Sequence, residues 1–233
     1  MLKNQKVIVS MLIGVLVATA LIVTVMINTG GQLDTVAVNA TESFAQMVNT
    51  VPSLLTRDGN GHWNITAPDG SARFILGAEG NYVALAWDAK PFIAAGLAVE
   101  KLPDAYTLHG EELVYTMGVA GDSSKEQAGT AALAMQTLTK TMPGAIGYHI
   151  PMDHFGVMVG EAGMFEWAQS LETLTDTGEL QEKDIVFVLS PDALIEAGVE
   201  PALVEGWVYA PVEVMDGGAT LFVEKFLKPF NIA

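Results

Sequence analysis

Residues 7–27 read VIVSMLIGVLVATALIVTVMI, a run of 21 residues with no charge and no proline. As a helix rising about 1.5 Å per residue, the run spans about 31 Å, close to the hydrocarbon thickness of a bilayer. Its polar residues are Ser10, Thr19 and Thr24, whose hydroxyls can bond back to helix carbonyls. Lys3 and Lys6 precede the run and no Lys or Arg follows until Arg57. That asymmetry predicts a cytoplasmic N-terminus and an extracytoplasmic remainder. A cleaved signal peptide has a shorter apolar region, roughly 7–15 residues. The small-residue triplet Val38-Asn39-Ala40 lies far from the run. The expectation is therefore a single-pass membrane protein with a retained anchor. Gly14 and Ala18, four apart, form a small-xxx-small pair at which a second membrane helix can approach closely.

Beyond the anchor and its flank about 200 residues remain, enough for one domain with its own core. The chain carries 11 Lys+Arg against 27 Asp+Glu, a formal charge of -16. Two of those lysines precede the anchor and the first acid is Asp34, so the outer part is more acidic still. Such a surface repels phosphate backbones, which argues against a nucleic-acid partner, and suits a salty medium or a cationic partner. Cysteine is absent, which excludes disulfides and thiolate metal sites.

Along the chain, Gly30-Gly31 is expected to end the membrane helix. Phe44, Met47, Val48 and Val51 recur at helical spacing and predict a stalk helix over 39–55, with Thr41 and Glu42 near its start. Asn39-Ala40-Thr41 and Asn64-Ile65-Thr66 match the glycosylation acceptor pattern. The turn cluster at 58–61 is the expected domain boundary. Residues 62–66 and 72–76 read as a hairpin around Ala67-Pro68-Asp69-Gly70. Residues 82–87 and 93–99 read as strands and 108–122 as a loop. Residues 123–142 read as a helix, capped by Ser123 or Ser124, with an apolar stripe of Ala131, Ala134, Met135 and Leu138. A strand is expected at 147–152, helices at 155–162 and 164–174, and a strand at 184–189. Ser190-Pro191 then opens a helix. A strand at 207–214 and a closing helix at 220–227 complete the reading. No internal repeat is evident. Strands alternating with helices predict an α/β domain. The expected organisation is 1–6 cytoplasmic tip, 7–27 transmembrane helix, 28–57 partly helical stalk and 58–233 extracytoplasmic α/β domain.

The chain has no nucleophile elbow, Walker loop or dinucleotide fingerprint. His149 and His154 are five apart with Pro151 between them, which does not fit a helical metal pair. They read as one surface and one half-buried histidine. The four tryptophans read as core or rim aromatics. Asp153, Glu161 and Glu166 read as a solvated acidic face. Arg57 and Arg73 are the only arginines, few for a protein that must clamp a pyrophosphate.

From Ala72 to Lys228 the order of expected elements resembles the LytR-CpsA-Psr (LCP) family. Phe74-Ile75-Leu76-Gly77-Ala78-Glu79 is similar to that family's opening strand and turn. Residues 82–87 with Asp88-Ala89-Lys90-Pro91 are similar to its second strand and Pro-Lys turn. Lys101-Leu102-Pro103-Asp104-Ala105-Tyr106 is similar to its Ile-Pro-Arg-Asp segment. The expected helix at 123–142, strand at 148–153, short helix at 155–163 and closing segment at 207–228 follow the same order. The resemblance implies a single-pass anchor carrying a mixed-sheet α/β domain that transfers polyprenyl-pyrophosphate-linked glycopolymers to the cell wall. Carried over by position, it implies Glu79 and Asp104 as ligands of a Mg²⁺ ion, with Lys101 as the nearby cation. The family's arginines are missing between Pro103 and Asp104, near Pro211 and Glu213, and over residues 220–225.

Those departures point to a non-catalytic scaffold or accessory subunit of an envelope or membrane complex. It would need no cofactor, and would meet the bilayer and protein partners through its membrane helix or its acidic outer face. An active divergent transferase, retaining Mg²⁺, is the first alternative. The second is a filament subunit: the apolar helix followed by INTGGQL is similar to the start of archaellins and related archaeal pilins. No processing site precedes residue 7, and the helices expected in the second half fit the mostly β outer domain of that family poorly.

Overall fold

The computed structural model describes residues 30–118, 130–149, 154–169, 184–216 and 219–231. The apolar run at 7–27 lies outside that set, and Gly14 and Ala18 with it. Among the described residues no helix is long and apolar enough to cross a membrane.

The first described element, α1 (Gly30–Thr50), starts earlier than expected. The glycine pair expected to end the membrane helix lies in its first turn. Nor does it stand apart as a stalk. Ala40, Phe44 and Met47 are fully buried, and Val48 and Val51 pack against the same core. A turn at Pro52–Leu54 leads into β1 (Leu55–Arg57), which pairs antiparallel with β2 (Trp63–Thr66). The supposed boundary at 58–61 is thus a hairpin turn inside a sheet, closed by the Gly61 N–H donating to the Asp58 carbonyl.

The sheets are antiparallel throughout. β2 pairs with β3 (Ala72–Leu76), and β3 with β4 (Tyr82–Asp88). The short helix α2 (Lys90–Ala94) and a turn at Val99–Lys101 then carry the chain to the edge strand β5 (Tyr106–His109). β6 (Glu112–Gly118) returns between β5 and β4, giving the order β1-β2-β3-β4-β6-β5. After α3 (Ala131–Thr141), β7 (Ile146–His149), β8 (His154–Val159), β9 (Gly163–Ala168) and β10 (Ile185–Leu189) meander in the same way. Helix α4 (Asp192–Glu196) and a turn at Pro201–Leu203 follow, then β11 (Val208–Asp216) and β12 (Ala219–Phe230). β12 lies between β11 and β10, so the second order is β7-β8-β9-β10-β12-β11.

The domain does combine helices and strands as expected, but several assignments change. Residues 93–99 hold the end of α2 and a turn rather than a strand. Pro91 sits in the first turn of α2, and the Asp88 carboxylate accepts the Lys90 N–H at its start. The loop expected at 108–122 contains the β5–β6 hairpin. The helices expected at 155–162, 164–174 and 220–227 are strands where they are described. β8, β9 and β10 are buried on both faces, so their sequences read as unbroken apolar runs rather than alternating ones.

The two sheets are copies of one plan. One constant step in residue number carries α2 onto α4, the turn Val99–Lys101 onto Pro201–Leu203, and Gly96 onto Gly198. The contacts between the copies are reciprocal. The Ala98 N–H donates to the Ala197 carbonyl at 2.9 Å, and the Glu200 N–H donates to the Ala95 carbonyl at 2.7 Å. Gly96 and Gly198 have matching φ values of 104° and 106°. A Cβ on Gly96 would stand 2.6 Å from the Gly198 oxygen, and one on Gly198 would stand 2.8 Å from the Gly96 oxygen. Phe74 on β3 and Phe165 at the equivalent place on β9 stack face to face, with centroids 4.7 Å apart. The domain is an internally duplicated sandwich with a local two-fold axis. The chain shows so little of this because Ile93/Ile195, Ala95/Ala197 and Gly96/Gly198 are the only identities across the helix and the turn that follows it.

Between the sheets, Phe74, Leu76, Leu85 and Trp87 meet Phe155, Val157, Phe165, Trp167 and Phe187 in one continuous core. Helices α1 and α3 close one side of it. Phe44 meets Trp167 edge to face at 5.4 Å. The α3 residues Ala131, Ala134, Met135 and Leu138 are buried as their spacing predicts, and Thr130 caps the helix through its hydroxyl. The serines expected to cap it lie outside the described residues.

Candidate functional site

The residues expected to hold a metal lie on separate elements of the first sheet. Glu79 sits on the turn between β3 and β4. That turn is fixed by Gly80 (φ 65°), which packs so closely on α3 that a Cβ would stand 2.6 Å from the Ala134 oxygen. Lys101 and Asp104 are exposed, on the Val99–Lys101 turn and just before β5. Among the described residues no group of three His, Asp or Glu is arranged to hold a metal ion. Both arginines are already engaged. Arg73 forks onto Glu112, with Nε and Nη2 donating to its two oxygens at 2.7 and 2.6 Å, while Nη1 donates to Asn64. Arg57 donates to the Gly61 carbonyl and lies over the Trp63 ring. The same network removes one glycosylation candidate, because Asn64 is buried under Arg73, whereas Asn39 is exposed on α1.

Glu166 is not on a solvated face. It is 1 % exposed and His154 is 2 % exposed, side by side on the outer surface of β8 and β9. The His154 Nδ1 stands 3.8 Å from the Glu166 carboxylate, too far for a hydrogen bond but close enough for charge to matter. Burial pushes the Glu166 carboxyl above the ordinary glutamate range, against the pull of His154. Asp153 and the His149 side chain lie outside what is described.

The groups that do converge on open space are others. A cavity of about 480 Å³ at one end of the sandwich is lined by Pro103, Tyr106, Glu161, Ser190, Asp192 and Ala193. Ser190 follows β10, and its N–H is held by the Ala162 carbonyl at 2.7 Å. Lys225 lies on β12 one step beyond the Leu189–Phe226 pair, and its Nζ donates to the Ser190 hydroxyl at 2.9 Å. Burial pulls the Lys225 ammonium below the ordinary lysine range, although Asp192 nearby favours its charge. Among the described residues Lys225 has no ion-pair partner. Burial and the neighbouring Tyr115, Glu161 and Asp192 push the Tyr106 phenol up to about 12, so it remains a proton donor at neutral pH. Tyr115, behind Tyr106, accepts the Glu161 N–H at 3.4 Å.

The duplication supplies an internal comparison. The equivalents of Ser190 and Lys225 in the first copy are Asp88 and Glu112, which pair across β4 and β6. They line a shallower cavity of about 350 Å³ with Asp69, Ser71, His109 and Glu111. There three carboxylates have cation partners: Glu112 has Arg73, Glu111 has Lys90 at 2.5 Å, and Asp69 has Lys228 of β12 at 2.7 Å. Partial burial raises the Asp69 carboxyl, but Lys228 and Ser71 outweigh it and bring it down to about 2. In that cavity three of the carboxylates are each held by a cation. In the other the Ser190 hydroxyl lines the cavity and is bonded to the half-buried Lys225 amine.

Sequence reasoning missed Ser190 as anything but a helix start, and missed Lys225 altogether. A closing helix at 220–227 places Lys225 on a different element, whereas the strand puts it directly across from Ser190. Fold and site together define a two-fold pseudo-symmetric antiparallel sandwich with a cavity at its rim that Ser190 lines. Comparison with known proteins found no matching family model, no matching curated protein and no matching solved structure.

Proposed function

We propose that the chain is a membrane-anchored extracytoplasmic domain, acting as a scaffold or accessory subunit of an envelope complex rather than as a polyprenyl-pyrophosphate transferase. The observation that supports this most is the packing of α1, the helix nearest the apolar run in sequence, into the core of the sandwich. The apolar run ends at Ile27, and α1 begins at Gly30 and runs into the core through Ala40, Phe44 and Met47. In sequence only Asn28 and Thr29 separate the run from that helix, so an anchor there would hold the sandwich close by. The engagement of both arginines inside the first sheet supports the absence of pyrophosphate transfer. An acidic outer surface favours a partner with a basic face.

The test is fractionation. The full chain is expected to sediment with membranes and resist alkaline carbonate, a chain starting at residue 28 to be soluble and folded, and external protease to remove the sandwich from intact cells. A full chain found soluble would sink the anchored reading. Transfer of a polyprenyl-pyrophosphate-linked glycan by the purified chain with Mg²⁺ would instead favour the transferase, with Glu79, Asp104 and Lys101 in the roles given above.

A second reading, a filament subunit, gains from one observation. Residues 154–159, 163–168 and 219–230 are strands, so the described part of the second half is mostly β and the argument against an archaellin-like outer domain weakens. Electron microscopy of shed surface material separates the two: filaments built of this chain favour the second reading, and their absence with full membrane retention favours the first.

A further inference from the structure

We infer that Ser190 and Lys225 form a nucleophile–base pair for acyl transfer, taking an ester or amide whose acyl portion occupies the rim cavity beside Tyr106 and Asp192. The inference goes beyond the anchored role and does not depend on it, because every group concerned lies within the sandwich.

Three observations carry it. The Ser190 hydroxyl and the Lys225 amine are 2.9 Å apart, within the reach a base needs to take the hydroxyl proton. Ser190 is also a wall of the 480 Å³ cavity, large enough for a small organic group next to the oxygen. And the pair is not a requirement of the fold, because the equivalent place in the first copy holds Asp88, which accepts the Lys90 N–H, and Glu112, which is paired with Arg73. A half-buried lysine that makes no ion pair among the described residues is costly as a cation and correspondingly better as a neutral base, with Asp192 nearby opposing that shift in part. Backbone placement is firm: the Ser190 N–H is anchored on Ala162, and Pro191 fixes the chain immediately after it.

The step balances without a cofactor. The neutral Lys225 amine takes the Ser190 proton as Oγ bonds to the substrate carbonyl carbon, and the carbonyl π electrons move onto its oxygen. The Tyr106 phenol, still protonated, is the side-chain donor available in the cavity for that oxyanion. Collapse of the adduct breaks the bond to the leaving alcohol or amine, which takes the proton from the Lys225 ammonium. Water then attacks the acyl-serine, with Lys225 again accepting the proton. The products are a carboxylic acid and the regenerated Ser190.

The test uses the purified full chain in detergent, with a fluorophosphonate probe and p-nitrophenyl acetate and butyrate. Labelling is expected on the peptide containing Ser190, located by mass spectrometry. Ser190→Ala is expected to abolish it. Lys225→Met is expected to slow it by at least about a hundredfold, the scale of a lost general base. Lys225→Arg is not expected to restore it, since a guanidinium does not deprotonate. The labelling rate of the unaltered protein should rise with pH along a single ionisation below the ordinary lysine range. Thermal melts of all variants separate loss of chemistry from loss of fold, and Ser190→Ala, the smallest change, is the reference where Lys225→Met melts early. Absence of labelling in the unaltered chain, labelling at another residue, or labelling of folded Lys225→Met at the full rate would each overturn the inference.

Discussion

Glu166 is buried on β9, with the His154 imidazole 3.8 Å from its carboxylate. Because burial raises its carboxyl, the folded chain binds that proton more tightly than the unfolded chain does. The stabilisation is full below the unfolded-state range of a glutamate and is lost as pH rises through the higher folded value. Denaturant midpoints between pH 5 and 8 should therefore fall with pH, and Glu166→Gln should flatten that slope. At pH 8 the variant is expected to be the more stable by about 1–3 kcal/mol, the cost of an imperfectly compensated buried polar group. Ser43 is the opposite case, a buried hydroxyl that both donates and accepts. It accepts the Trp167 Nε1–H at 3.2 Å and donates toward the Ala168 and Gln169 carbonyls, tying α1 to the end of β9. Ser43→Ala strands the indole N–H and is expected to cost about 1–3 kcal/mol by urea unfolding. Neither role was visible in the sequence. Glu166 stands in a run, GMFEWA, that gives no sign of which face is covered, and Ser43 lies 124 residues from its indole partner.

The elements legible from sequence are those whose signal is local. The hairpin at 62–76 was marked by Pro68, Asp69 and Gly70, and Gly70 takes the positive φ of 72° that its turn needs. The stripe on α3 showed because only one face of that helix is buried. Strands β8, β9 and β12 were misread as helices because apolar residues on both faces erase the two-residue period. Pro211 survives within β11 because that strand is at the edge of its sheet, where a missing N–H goes unmissed. The paired loops at Gly96 and Gly198 are set by long-range contact rather than local pattern. Both glycines combine a left-handed backbone with a carbonyl from the other copy where a Cβ would go. Gly96→Ala and Gly198→Ala are each expected to cost about 2 kcal/mol or more, and by similar amounts because the sites are equivalent. Chemical denaturation of the two variants checks both claims, and a cost confined to one of them would argue that the symmetry is only approximate there.

The whole molecule behaves as an intramolecular dimer of like halves, with α1 crossing over. This helix precedes the first copy in the chain but packs on α3 and β7, next to the second copy. Severing the chain between β6 and α3 should therefore leave two fragments, 28–118 and 119–233, that depend on each other. Each would expose one apolar inner face, and the first would also carry a helix with no core of its own. Co-expressed, they are expected to purify as a stable 1:1 complex with a cooperative melt, and separately to aggregate or remain unfolded. Recovery of two independently folded fragments would contradict the reading of a shared core.

The amino-acid sequence alone determined the acidic balance, the absence of cysteine, the scarcity of arginine, the candidate anchor at 7–27, and those turns and the helix face that carry a local signature. These are properties of composition or of neighbours within one turn of chain, where glycine geometry and one-sided burial leave a period to read. The tertiary structure alone decided that the sheets are antiparallel copies related by a local two-fold axis, that Glu166 is buried, and that Ser190 meets Lys225. Each of those depends on which strands lie opposite one another, and a strand buried on both faces carries no periodic mark of its partner.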